Sequence, residues 1–279
     1  MLMLAGKMRI RLNSGAVQRS SPMPNQFQFF STALMYFTRI PWASNAPYDE
    51  RAQREALKYF PLIGWMIGAI GGGVLYAGLL VFPAGIAVVL AVSVMVMLTG
   101  AMHEDGLADS ADGFGGGHSK EQVLSVMKDS CTGVFGATAL ILMFALKLAA
   151  LIELAQLDAT RTALTLAFAQ ATSRFAVLLI PATLDYAQTA AASKSAAMVG
   201  RRCAPSSVAT GGLVIAVPLL LWDSAAAWVA VVTSLIASLG LARYFYRRIG
   251  GYTGDCLGAT QQITEAVIYL TLLVIWTSG

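Results

Sequence analysis

The sequence predicts an all-α, polytopic transmembrane bundle of about seven spans, with the amino terminus cytoplasmic and the carboxyl terminus outside. Three observations carry that expectation. Hydrophobic residues fill 57% of the 279 positions and charged residues only 12%, where soluble domains carry about 25% charge. From Tyr59 to Met102 the chain has no charged residue, a run that suits two helices of about 20 residues each. Lys and Arg, finally, gather in alternate connecting segments, as the positive-inside bias requires. The mean hydropathy of +0.65 agrees.

Taken in order, the chain opens with a basic stretch, residues 1–25, expected as a disordered cytoplasmic tail without the apolar core of a signal peptide. Residues 26–279 then form a single integral-membrane domain. Residues 27–42 are too short to span, and their aromatics suit a helix lying at the interface. Spans are expected near 61–82 and 84–102, parted by Pro83 and Gly85, and then near 134–157, 163–184, 208–222, 225–242 and 263–278. The fifth of these is short. Of the nineteen Lys and Arg, eight precede the first span. Lys120 and Lys128 follow the second, Lys194, Arg201 and Arg202 the fourth, and Arg243, Arg247 and Arg248 the sixth. The opposite side has Arg161, while Lys147 and Arg174 fall inside spans.

Composition also excludes classes of function. Three scattered cysteines give neither a disulfide framework nor a metal spacing. A formal charge of +4, dispersed along the chain, gives no footprint for nucleic acid. The lipid bilayer is the expected partner, and the sequence leaves a homo-oligomer open.

Six of the fifteen acids lie between residues 104 and 129. Asp105, Asp109 and Asp112 are spaced i, i+4, i+7 and so share one face of a helix. Oxygen-only ligands of this kind suit Mg²⁺, which is usually held by one or two carboxylates together with substrate phosphates. A solvated acidic loop is the plainer alternative. His103, at the head of the cluster, is a candidate general base or a structural histidine at a membrane boundary. Arg174 is the intramembrane candidate for a phosphate ligand, since buried charges in spans are costly and tend to be functional. Lys147 serves equally well as a packing ion pair, and Glu153, six residues on, is not on its helix face. A second polar island, Gly250-Gly-Tyr-Thr-Gly-Asp-Cys-Leu-Gly, sits on the same predicted side, where glycines let a ligand approach the backbone. A transporter with a midplane site would show repeated halves; the sequence has no such repeat.

The runs Phe37-Thr-Arg-Ile-Pro, Tyr59-Phe-Pro-Leu-Ile-Gly, His103-Glu-Asp-Gly-Leu-Ala-Asp-Ser-Ala-Asp-Gly, Met127-Lys-Asp-Ser and Gly251-Tyr-Thr-Gly-Asp-Cys-Leu-Gly-Ala closely resemble the cobalamin synthase family of adenosylcobinamide-GDP ribazoletransferases. They occur in that family's order over about residues 27–270. CDP-alcohol phosphotransferases also set spaced aspartates beside a membrane, but Asp109 stands where their pattern needs Arg. The resemblance implies a Mg²⁺-dependent transferase at the bacterial inner membrane, its active site facing the cytoplasm. A ribose hydroxyl of α-ribazole, or of its 5′-phosphate, would attack the diphosphate of adenosylcobinamide-GDP to give adenosylcobalamin, or its phosphate, and GMP. Carried onto this chain, Asp105, Asp109 and Asp112 are expected as metal ligands and His103, Lys128 and Asp129 as catalytic residues. Arg39, Arg174, Thr253 and Asp255 are expected as substrate ligands. Gln262 stands where relatives have an acid, leaving Glu265 as the last carboxylate.

Overall fold

The computed structural model describes residues 25–42, 50–129, 131–187, 200, 202–221 and 225–278. The expected tail up to residue 24, and Lys194 and Arg201, lie outside the described residues. The described part is helical throughout, with one isolated bridge between Tyr186 and Tyr252 in place of any strand. Its helices are α1 (Gln26–Phe37), α2 (Glu50–Ala56), α3 (Phe60–Leu79), α4 (Ala84–Thr99), α5 (Met102–Gly116), α6 (Lys120–Val126), α7 (Val134–Leu157), α8 (Ala159–Thr183), α9 (Pro205–Leu221), α10 (Ala225–Ile249) and α11 (Gly254–Ser278).

Local chemistry explains the boundaries. Asn25 and Gln28 form a reciprocal capping box that starts α1, and Ser119 with Gln122 does the same for α6. Pro61 enters α3 in its first turn, where a missing N–H costs nothing. Pro83 ends the turn before α4, and the Asp158 side chain accepts from the Arg161 N–H at 2.9 Å to cap α8.

Five helical segments are long and apolar enough to cross a bilayer: 52–79, 134–157, 159–183, 225–249 and 254–278. The expected second span runs short. It stops at Thr99, and the chain bends by 86° into α5, because Gly100 (φ 66°) and Ala101 (φ 58°) are both left-handed. The backbone N–H of Arg39 donates to the Leu98 carbonyl at 2.7 Å beside this bend. With His103, Glu104, Asp105, Asp109 and Asp112 along it, α5 is too polar to cross alone. The apolar part of α9, 205–216, is shorter than the others. A count of about seven takes in both α4 and α9.

The hub is α8, buried on every side from Thr165 to Arg174, as a helix enclosed by neighbours must be. Its closest partner is α3. Gly64, Gly68 and Gly72 of α3 lie one turn apart, and a Cβ at any of them would overlap the α8 backbone at Gln170, Leu166 or Ala163. The helices therefore touch backbone to backbone, the small-residue packing that membranes favour. Large apolar side chains such as Ile141 and Leu142 on α7 and Val232, Ile236 and Leu239 on α10 point outward, the surface a bilayer would cover.

Candidate active site

Two helix starts converge at one end of the bundle. Asp105 lies in the first turn of α5 and Asp255 in the first turn of α11. Glycine makes the approach possible. A Cβ at Gly106 would come 2.9 Å from the Asp255 carbonyl oxygen and 3.1 Å from the Gly258 Cα, so the Asp-Gly of one motif locks against the Asp-Cys-Leu-Gly of the other. Between them opens a cleft of about 170 Å³ whose polar lining is His103, Asp105 and Asp255. Its apolar wall includes Tyr36 and Phe37 of α1, Phe60 and Val177.

The three aspartates of α5 share a helix face, as their spacing predicts, but meet different surroundings. Asp105 is exposed and Asp109 half-buried. Burial, and then the Asp105, Asp255 and Asp112 carboxylates, push the Asp109 carboxyl up to about 7. Asp112 is buried against the next helix. Its Oδ2 accepts from the Gly133 N–H at 2.7 Å and its Oδ1 from the Gly136 N–H at 2.8 Å. It thereby caps α7 from another element, and α7 begins with glycines because a Cβ at either position would strike that carboxylate.

Thr253 is buried at the start of α11. Its hydroxyl accepts from the Cys256 N–H at 3.3 Å and lies 3.2 Å from Asp255 Oδ2, to which it donates. It also lies 3.8 Å from the sulfur of Met127, which docks the Met127-Lys128-Asp129 turn beside the same helix start. Lys128 and Asp129 are exposed there, and Asp129 Oδ1 accepts from the Cys131 N–H at 3.1 Å. The imidazole of His103 stacks on Phe60, 5.8 Å between centroids.

Two of the expected substrate ligands stand apart. Arg39 lies across Gly100 at the α4–α5 bend and lines an apolar groove with Ile40 and Leu98. Arg174 is fully buried behind Phe60, its guanidinium 5.4 Å from that ring. It bonds the Gln170 carbonyl and side chain and does not line the cleft. Lys147 pairs with Glu265 at 2.8 Å, not with Glu153. Sequence reasoning passed over Glu104, Gln170, Gln261 and Tyr269, which join this buried lattice. Their signal was polar side chains recurring within apolar helices, Gln261-Gln262-x-x-Glu265-x-x-x-Tyr269 above all. The Arg248 clamp was also passed over: its guanidinium donates to the Phe114 and Gly117 carbonyls at 3.0 and 2.9 Å, fixing the end of α5.

Among the described residues, no three His, Cys, Asp or Glu side chains form a ready-made metal cage. The acids that face the cleft, Asp105 and Asp255, are nevertheless oxygen donors that repel each other. That is a fit for a hard cation that takes part of its shell from substrate phosphates.

The chain matches the family model described as cobalamin-5-phosphate synthase over residues 29–273. The adenosylcobinamide-GDP ribazoletransferase of Ralstonia nicotianae is 41% identical over 249 residues, 88% of this chain and 95% of that one. The enzyme of the same name from Shewanella amazonensis is 40% identical over 262 residues, 93% and 100%. That of Vibrio parahaemolyticus is 34% identical over 265 residues, 92% and 96%. No solved structure matches. The acidic helix and the glycine-rich start of α11, brought together in one cleft, both lie within the matched span, and the chain belongs to the cobalamin-5-phosphate synthase family.

Proposed function

We propose that this chain is an adenosylcobinamide-GDP ribazoletransferase, joining its two substrates to complete the nucleotide loop of cobalamin. The observation that carries this is the family match over residues 29–273, within which the two polar motifs meet at Gly106 and Gly258. The transfer is a displacement at phosphorus. The ribose hydroxyl oxygen of α-ribazole, or of its 5′-phosphate, bonds to the phosphorus on the cobinamide side, and the bond to GMP breaks. The hydroxyl proton passes to a base. Such chemistry asks the protein mainly for position and charge neutralisation.

Asp105 and Asp109, with Asp255 opposite and Asp112 at the end of the stripe, would hold Mg²⁺. Bound there, the ion would supply positive charge against the diphosphate. Thr253 holds the Asp255 carboxylate in place. Lys128, exposed on the turn beside α11, offsets negative charge growing on the departing GMP. Asp129 or His103 accepts the hydroxyl proton: Asp129 stands on the open turn, and His103 forms part of the cleft wall. Arg39, which lines a separate groove at the α4–α5 bend, has no part in this site as the structure places it.

The orientation has the amino terminus in the cytoplasm and the cleft facing it, in the bacterial inner membrane. The Lys and Arg asymmetry supports this, and guanine nucleotides are met on that side. The test is turnover by the purified full chain in detergent or lipid. Adenosylcobinamide-GDP and α-ribazole are supplied with and without Mg²⁺, and products are read by mass. Magnesium-dependent adenosylcobalamin and GMP, absent with Asp109→Asn, are the expected result. Correctly folded protein that forms neither product overturns the reading.

A further inference from the structure

Behind the cleft lies a second, smaller cavity of about 20 Å³, lined by Glu104, Lys147, Gln170, Arg174, Gln262 and Glu265 among others. His103 lines both spaces. Around the chamber a hydrogen-bonded lattice joins α5, α7, α8 and α11. Lys147 donates to Glu265 Oε2 at 2.8 Å and to Gln262 Oε1 at 2.6 Å. Tyr269 donates its hydroxyl to Glu265 Oε1 at 2.7 Å. Gln262 donates onward to Glu104 Oε1 at 3.0 Å.

Two atoms of charged side chains are left over. Among the described residues, Glu104 Oε2 and Arg174 Nε have no hydrogen-bond partner, although Glu104 is 8% and Arg174 0% exposed. Orphaned charged atoms at that depth are expensive, so the site selects an occupant. It must donate to a carboxylate oxygen and accept from a guanidinium N–H. A cation would face Arg174 and Lys147, and an anion would face Glu104 and Glu265. The volume exceeds the roughly 10–15 Å³ that one water requires but leaves no room for a larger molecule.

We propose that the chamber binds a single water bridging Glu104 Oε2 to Arg174 Nε, and that through it these two side chains act as positioning residues for the cleft. Glu104 immediately precedes Asp105. Tying it to Gln262 of α11 on one side and, through the water, to Arg174 of α8 on the other fixes the rotation of the first turn of α5. That rotation sets where Asp105 points. The inference rests on the ribazoletransferase reading for its catalytic consequence, but the water itself does not.

The first test is a structure of the wild-type full chain at a resolution that shows ordered water. One peak within hydrogen-bond reach of both atoms is expected. A direct Glu104–Arg174 pair, or any occupant larger than water, overturns the proposal. The second test compares Glu104→Leu with Glu104→Gln, which keeps an oxygen for Gln262 and a polar group toward the water. Glu104→Leu should lose about 10–100-fold in kcat and in Mn²⁺ affinity of the substrate-free protein by EPR. KM for both organic substrates should hold, and Glu104→Gln should recover most of the loss. Glu104→Leu with wild-type kcat and Mn²⁺ affinity overturns the positioning role. Should that variant not fold, the wild-type map still decides. Wild-type protein that makes no product defeats the transferase reading instead, and leaves the water to the map.

Discussion

The backbones of Gly106 and Gly258 are in contact: a Cβ on Gly106 would stand 3.1 Å from the Gly258 Cα, and one on Gly258 would stand 3.0 Å from the His103 carbonyl oxygen. This single contact sets the separation of Asp105 and Asp255. Gly106→Val must push α5 away from α11 and part the two carboxylates. An ångström of misplacement at a reacting centre is enough to cost about 100-fold in rate. The variant should insert and purify as the wild type does while its turnover falls by about that factor, measured as product formed per minute.

Asp109 and Asp112 share a helix face yet should answer substitution in opposite ways. Removing the Asp112 carboxylate strands the N–H groups of Gly133 and Gly136, at a cost of about 1–3 kcal/mol, so Asp112→Ala should lower the unfolding temperature in detergent. Asp109 makes no such bond, and its carboxyl is held up at about 7 by burial and its acidic neighbours. A carboxyl raised in the folded state binds its proton where the unfolded chain, titrating near 4, has released it. Metal-free wild type should therefore lose stability as pH rises from about 4 to 7, and Asp109→Asn should flatten that slope. Unfolding scans in EDTA across the range check both, and parallel slopes would rule out the strained carboxyl.

Lys147 and Glu265 are buried, and each is compensated by the other. Removing one partner leaves an unpaired charge, at a cost of about 3–5 kcal/mol. Lys147→Met should thus be poorly folded. Adding Glu265→Gln should restore much of the loss, because the remaining amide still bonds Tyr269 and Gln261. Fluorescence-detected size exclusion of the two variants measures the difference.

The five long spans and the helical carboxylate stripe were legible, because apolar run length and a spacing of four are local properties; the second polar island was read only as lying on the same side as the stripe, and its packing against α5 was not. The bend was not. Ala101 carries no mark of its left-handed backbone, which is imposed by how α5 must lie to reach α11. The lattice was half-legible: Lys147 and Arg174 stood out as charges in apolar helices, but the partners of Lys147, Gln262 and Glu265, lie 115 and 118 residues on in the chain, while Arg174 bonds Gln170 one turn back on its own helix. Arg174, expected beside substrate, faces inward because Phe60 stands between it and the cleft. The α3–α8 seam was written in Gly64-x-x-x-Gly68-x-x-x-Gly72, a small-residue pattern for helix contact that carries no charge to draw attention to it. Gly68→Val, the central position, should cost about 1–3 kcal/mol or more by overpacking, with the drop visible in unfolding temperature.

Cysteine labelling decides the orientation. Cys131 is exposed between α6 and α7, Cys203 is half-buried ahead of α9, and Cys256 is buried in α11. Burial pushes the Cys203 thiol up to about 11, with a hydrogen bond to Ser207 opposing part of the rise. Thiolate is the reactive form, so at pH 7.5 a maleimide should modify Cys131 well ahead of Cys203, with Cys203 gaining only as pH climbs toward 11. If the cleft faces the cytoplasm, a membrane-impermeant maleimide should label Cys131 in inside-out vesicles and leave it untouched in intact spheroplasts. The Cys131→Ser variant, assayed the same way, identifies the modified site. Labelling from the periplasmic side alone would invert the topology, and would place the carboxylate cleft away from the compartment that supplies guanine nucleotides.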